Sequence, residues 1–434
     1  MSDRFTTSAG SLVLTEHNRA LPVVGLGLSL RAGALLDPEG KEGMTRLFAR
    51  ALRMGPRGTR SLSFEQSLER IGAQLSLSVS QSYAHIGALV VAKNFEPLLE
   101  LLSALLTQPA FRAADVAQVR REAIADLIAS TDDDRSLCVR NFRSRALGDH
   151  PYARSRVGTL ASLRRVGQSD LIEHHARVVA GKNLVIGVWG DYDPDALPGQ
   201  LDAAFGALPR GKNLRPKLKH PKLRRGRHLC IVDKPERSQT QILVGTLGTH
   251  PSDPEHTPLL VGNTAFGGLF TSRLTHEVRA KRGWSYGASS GLTHSLTRDL
   301  WSMHTYPAAS DARACLELQL ELFERWVEDG ISERELKAAK GYLIKSHPFE
   351  VDTASKRLDR KLDIELFNWP ADHHTGMVEA VGAVGCPDIA RALSRRLSAR
   401  DLMITVVATA SELQPQLESL PGIESVQVVP FDRV

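Results

Sequence analysis

The strongest constraint in this sequence is that its two halves follow one plan. Leu12-Val13-Leu14 is matched 218 residues later by Cys230-Ile231-Val232. The same offset carries Lys182-Asn183-Leu184-Val185-Ile186 onto Arg400-Asp401-Leu402-Met403-Ile404. The two anchors bracket nearly a whole half, which predicts an internal duplication. In each half a short strand, a turn and a second strand (residues 24–30; 240–247) precede an apolar helical stretch. Each half then closes with a buried strand after an amphipathic helix.

Between the halves lies a basic, proline-containing stretch. Residues 210–227 hold Arg210, Lys212, Arg215, Lys217, Lys219, Lys222, Arg224, Arg225 and Arg227, with no acid. Pro216 and Pro221 disfavour helix, so the stretch reads as an extended surface linker. The expected organisation is a first domain over 1–209, a linker over 210–228 and a second domain over 229–434. The chain carries 55 Lys+Arg against 49 Asp+Glu, a net charge of +6. The nine linker charges exceed that total, so the remainder is net negative and the basicity is local. No aromatic residues are interleaved with these cations, which argues against a nucleic-acid surface.

The four cysteines, Cys138, Cys230, Cys315 and Cys386, show no C-x-x-C spacing and read as isolated thiols rather than a zinc ribbon or redox pair. No apolar run reaches the roughly 18 residues of a membrane helix. No long apolar core of a signal peptide is visible, so a cytoplasmic chain is expected, or a periplasmic one where a leader has been removed.

Strict alternation in Gln74-Leu75-Ser76-Leu77-Ser78-Val79-Ser80 predicts a half-buried strand, with 86–92 as its partner. Helical spacing marks 95–106, 114–130, 135–147 and 168–179 in the first half. In the second half it marks 259–265, 271–282, 312–328, 333–346 and 354–366. Hairpins followed by runs of helices predict an α+β fold made twice, each copy an antiparallel sheet packed with helices.

Four stretches carry a resemblance: His150-Pro151-Tyr152, residues 183–191 (NLVIGVWGD), Asp233-Lys234-Pro235 with Gln239-Thr240-Gln241, and residues 263–286 (NTAFGGLFTSRLTHEVRAKRGWSY). Through them the chain resembles, over essentially its whole length, the pitrilysin/insulinase family of zinc metallopeptidases in its short two-half bacterial form. The resemblance implies two homologous domains forming half of a clamshell chamber that holds an extended peptide. Active members carry H-x-x-E-H on the first helix after the opening hairpin, two histidines holding zinc and the glutamate activating water. A distant acid completes the metal site.

Here Arg46 and Arg50 stand at the histidine positions, Ala49 at the base and Asp126 at the distant ligand. Guanidinium has no lone pair to give a metal, and alanine moves no proton. This chain is therefore expected to bind no catalytic zinc. No H-x-x-E-H or H-E-x-x-H lies elsewhere. Asp170 and His174 are i, i+4, with His175 adjacent, but read as solvated surface helix; His373-His374 reads as loop.

The family's second functional element is present. Active members place an arginine and a tyrosine, seven residues apart, opposite the zinc, and Arg279 and Tyr286 have that spacing. Gly283 between them is suited to end a helix near Arg282. A phenol can donate to a developing oxyanion, and a guanidinium can anchor a neighbouring carbonyl. The competing reading makes Arg273, Arg279, Lys281 and Arg282 helix-end cations and Tyr286 a core aromatic. Gly267-Gly268 lacks the G-K-S/T of a phosphate loop and reads as a tight entry to the following helix.

Some family members work as heterodimers in which one chain has H-x-x-E-H and the other the Arg/Tyr pair. The resemblance implies the second type: a subunit silent alone, partnered by a zinc-bearing homologue and acting on peptides, with no nucleic acid and no membrane. The alternatives are a silent scaffold derived from a peptidase, as in respiratory-complex core proteins, and a binder of anionic surfaces through the linker.

Overall fold

The computed structural model describes residues 3–31 and 33–433. Among the described residues, twelve strands form two six-stranded sheets. In the first, β1 (Arg4–Thr6), β2 (Leu12–His17), β3 (Val23–Leu30), β4 (Gln74–Val79), β5 (Ala84–Val91) and β6 (Leu184–Gly190) lie in the order β1-β2-β6-β3-β5-β4. In the second, β7 (Arg227–Asp233), β8 (Gln241–Leu247), β9 (Ala288–Leu292), β10 (Leu300–Thr305), β11 (Leu402–Ala408) and β12 (Ile423–Pro430) lie in the order β12-β7-β11-β8-β10-β9. Five strands of each sheet correspond in order, and Leu184 and Leu402, which open β6 and β11, are related by the offset of 218.

The expected antiparallel hairpins are present, but each sheet is mixed. β6 runs parallel to β2 and antiparallel to β3, and β11 does the same with β7 and β8. The closing strand returns only after all the helices, and a crossover that long permits parallel pairing. The copies differ at one edge: β1 pairs antiparallel with β2, whereas β12 pairs parallel with β7. After the helix Ala410–Glu418 the chain continues into β12; after its counterpart Leu197–Phe205 it continues into the basic linker, which has no regular structure until β7. Prolines remove ladder donors and like charges repel, so this stretch does not pair as a strand.

The helices predicted over 95–106, 114–130, 135–147, 168–179, 312–328, 333–346 and 354–366 are found at Phe95–Thr107, Ala113–Ala129, Asp134–Leu147, Gln168–Val178, Ala312–Asp329, Glu333–Ser346 and Ala354–Phe367. One face of each sheet packs on the helices of its own half. In the second unit this core contains two stacked ring pairs, Phe266–Trp326 at 4.4 Å and Trp301–Phe323 at 4.7 Å.

The opposite faces are covered reciprocally. The compact units do not follow a single cut at the linker. One comprises the chain up to Leu127, Arg154–Lys217 and Pro348–Asn368; the other comprises Ile128–Ala153, Leu218–His347 and the chain from Trp369. The reason is packing. Helix Asp134–Leu147, from the first half of the sequence, lies on β8 and β11, where Gly245 leaves room for Phe142 and Cys138 Sγ sits 3.4 Å from Thr405 O. Helix Ala354–Phe367, from the second half, lies on β2 and β6. Leu358, Leu362 and Leu366 pack there on Leu14 and Val185, and a Cβ on Gly187 would sit 3.0 Å from Leu358.

Both exchanged helices are also fixed by charge. Arg357 and Lys361 reach Glu16 at 3.1 and 2.8 Å. Buried Lys234 donates to Asp134 at 2.6 Å and to the Thr131 and Asp132 carbonyls at 2.9 and 3.0 Å. Lys234→Met removes all three bonds from the start of an exchanged helix. It is expected to cost about 2 kcal/mol in urea unfolding at neutral pH.

Candidate functional site

The helix Met44–Leu52 carries the degenerate motif. Asp37, 3% exposed, accepts from Gly43 N at 2.8 Å and Thr45 N at 2.9 Å, capping the helix start. Thr45 Oγ1 donates to Asp37 at 2.6 Å and lies 3.2 Å from His174 Nε2. Burial raises the Asp37 carboxyl above its ordinary value, and the Thr45 and Gly43 donors pull it back. Leu47, Phe48 and Ala49 point inward, leaving Arg46 and Arg50 together on the more open face.

Asp126, from helix Ala113–Ala129, forms an ion pair with Arg50. Burial, and then the Arg50 charge, lower Arg46 below its ordinary value. Two guanidinium groups and one carboxylate thus converge where a metal-type helix would set its ligands. Among the described residues no three His, Cys, Asp or Glu side chains are placed to hold a metal. Arg46, Ala49, Arg50 and Asp126 do not fit a zinc ion.

One sequence reading is corrected here. His174 is not on a solvated face: it is 2% exposed, stacked edge-on against Phe48 at 5.1 Å, and bonded to Thr45. Leu171, His174 and Val178 form the buried face of helix Gln168–Val178. Neighbouring His175 bonds the Leu106 carbonyl at 2.7 Å. Burial pushes His174 down to about 3 from an ordinary 6.5, so it is neutral.

A base depressed in the folded state contributes stability that is full above about pH 6.5 and is lost as pH falls toward 3. His174→Gln keeps a polar side chain and removes this titration. The stability gap between wild type and H174Q is therefore expected to narrow below pH 6.5, by up to about 1.4 kcal/mol per pH unit. Urea unfolding at several pH values measures it, and a constant gap sinks the assignment.

The second candidate element lies in the other unit. Helix His256–Asn263 runs into a π-helical turn, Thr264–Gly268, with Gly267 against β9: a Cβ there would sit 2.4 Å from Ser290 Oγ. Gly267 is thus required by close approach to β9, rather than by a tight entry to the following helix. Asn263 fixes the junction, accepting from Trp301 Nε1 and Ser290 Oγ, both at 2.7 Å.

The continuous helix expected over 271–282 is instead one short turn, Arg273–Thr275, followed by a second π-helical turn, His276–Ala280. Lys281 N bonds His276 O five residues back, a wider loop than an α-turn, and such turns recur at functional sites. Gly283 ends it at φ +67, where a side chain would be strained. Thr275 Oγ1 ties the turn to both flanking loops through Leu269 O at 3.1 Å and Ala288 O at 2.7 Å. Buried Ser285 donates to Gly287 O at 2.6 Å and accepts from Tyr306 N at 3.0 Å, fixing the loop that displays Tyr286 ahead of β9.

Three of the four clustered cations have structural partners. Arg273 makes a two-pronged pair with Glu335 at 2.9 and 3.0 Å, and Lys281 and Arg282 share Glu277 at 3.3 and 2.5 Å. Arg279 has no carboxylate within ion-pair distance among the described residues. Its guanidinium lies 4.5 Å from the Tyr286 ring and 4.5 Å from the Phe270 ring. Tyr286 is 78% exposed and Phe270 71%, so neither is a core aromatic. Arg279 and Tyr286 are together, as the spacing expects. Phe270 was missed, because a lone aromatic between Gly-Gly-Leu and Thr-Ser carries no periodic signal.

One unit presents Arg46 and Arg50 together on a helix and the other an exposed Arg279 beside Tyr286, in a fold made twice and with no cluster of metal-ligating side chains among the described residues. The family model described as "Insulinase (Peptidase family M16)" matches residues 12–160, and that described as "Peptidase M16 inactive domain" matches 165–343. The chain belongs to peptidase family M16.

Among its relatives, an uncharacterized zinc protease of Mycobacterium leprae is 26% identical over 344 residues, 78% of this chain and 77% of that protein. The non-peptidase homolog YmxG of Helicobacter pylori is 22% identical over 399 residues, 91% of each chain. A crystal structure described as the peptidase M16 inactive domain from Pseudomonas fluorescens superposes with a TM-score of 0.87 at 24% identity, over 93% of this chain and 97% of that one. Among the described residues no helix is long and apolar enough to cross a membrane.

Proposed function

We propose that this chain is the non-zinc-binding subunit of a heterodimeric zinc metallopeptidase. It pairs with a homologous subunit that carries the metal and supplies Arg279 and Tyr286 to the peptide held there. The observation that carries this reading is the state of Arg279: its neighbouring cations each have a carboxylate partner, while its guanidinium lies against an exposed tyrosine with no carboxylate partner among the described residues. A structural helix-end cation has no need of that arrangement.

Each part has a chemical role. The guanidinium presents planar N–H donors to a substrate carbonyl, and the two neighbouring rings restrain it by cation–π contact. The Tyr286 hydroxyl donates to the oxygen that gains charge as the scissile carbonyl is attacked. Metal chemistry belongs to the partner in this reading, since Arg46 and Arg50 offer no lone pairs and Asp126 is engaged by Arg50. The kinship with proteins called zinc proteases and with one called a non-peptidase homolog supports a division of roles between chains.

The test is reconstitution. The chain alone is expected to cleave no quenched peptide and to hold no stoichiometric zinc after dialysis. Mixed with a zinc-bearing homologue from the same source, it is expected to raise cleavage well above that of the homologue alone. Tyr286→Phe in the mixture is expected to lower kcat by about a hundredfold, the usual loss for one oxyanion donor. A mixture no faster than the homologue, or one indifferent to Tyr286→Phe, leaves the chain a scaffold.

A further inference from the structure

Phe270 is as exposed as Tyr286 and lies on the other element of the site, between the turn that ends at Gly268 and the turn that begins at Arg273. It touches the same guanidinium at the same 4.5 Å distance. Arg279 thus has two aromatic rings within cation–π distance, 71% and 78% exposed. Its N–H donors find no acceptor among the described side chains, so they are left for a group from outside the chain. Exposed aromatics are ordinary one at a time, but two beside one cation that has no acid partner among the described residues form a patch both apolar and hydrogen-bonding. A peptide has the matching form, with a carbonyl every residue flanked by side chains.

We infer that Phe270 is a specificity-determining residue: with Tyr286 it forms an apolar clamp that selects peptides bearing a large apolar or aromatic side chain next to the carbonyl bound by Arg279. The inference rests on the proposed role of Arg279 and Tyr286 and adds what that role lacks, a substrate preference. The rings supply area and face-to-edge stacking at small entropic cost, because each has only two side-chain torsions. The local charge agrees. Lys281 and Arg282 face a single Glu277, so the neighbourhood is net positive and favours carbonyl or carboxylate acceptors over basic side chains.

The experiment compares two quenched peptides differing at one position, Phe against Ala, cleaved by the reconstituted pair. Wild type is expected to prefer the Phe peptide by about tenfold or more in kcat/KM, the range a hydrophobic pocket gives. Phe270→Ala is expected to bring the ratio to within about twofold, and Phe270→Leu to restore part of it. A ring that only holds Arg279 in place would lower both rates and keep the ratio, which would overturn the inference. So would a Phe270→Ala variant with an unchanged ratio in a pair still sensitive to Tyr286→Phe, and in that case the subunit role survives. A pair with no activity beyond the homologue alone overturns both. If Phe270→Ala abolishes co-purification with the homologue, the ring is a docking contact instead.

Discussion

Everything else in this fold depends on the need to cover both faces of two sheets. The helices of one sequence half cover one face of their own sheet. The other face, along β2 and β6 or along β8 and β11, is covered by a helix from the opposite half. A mixed six-stranded sheet with a bare apolar face does not hold in water. Neither half of the sequence therefore builds a complete unit. Gly187 and Gly245 are consequences of this, since a side chain on either would strike the crossing helix. So are Lys234 and Glu16, which tie down the two helices by charge.

This arrangement separates stability from chemistry. The degenerate motif lies on a helix whose buried face and cap (Asp37, Thr45, His174) have nothing to do with metal binding. Arg46 and Arg50 on the open face leave that cap untouched, and Asp126 gives Arg50 a partner. The residues on this face can vary without loosening the core, so the persistence of the fold says little about activity. The argument for function has to come from residues the fold does not need.

The apolar runs at β3, β6 and β11 were readable from the sequence because each is a local pattern with a local cause. The duplication was readable because both copies answer to the same packing. The helix exchange was not, since periodicity says which face is apolar and not which sheet it meets. His174 could have been read: 171, 174 and 178 share one face with two apolar residues, and the charged neighbours of His174 obscured it. The π-helical turns had no warning, because a bond to the fifth residue back needs no special residue type. Arg279 and Tyr286 were legible only through their spacing and its resemblance, whereas the ring that completes the stack was not.

The net charge of +6 shows how a total can mislead. The linker supplies it, yet Arg215 is spent on the Glu365 carbonyl and Asn368, Arg225 on Asp401, and Arg227 on Glu324. Around the candidate site the same sorting applies, with Arg273, Lys281 and Arg282 consumed by carboxylates. What marks Arg279 is not its charge but how it is held. Two exposed rings lie 4.5 Å from its guanidinium, each contact worth about 0.5–1 kcal/mol at a surface position, and none of its donors is satisfied by the described residues. A cation held against two exposed rings, with no anion among the described residues, is the feature of this surface that the fold itself does not explain.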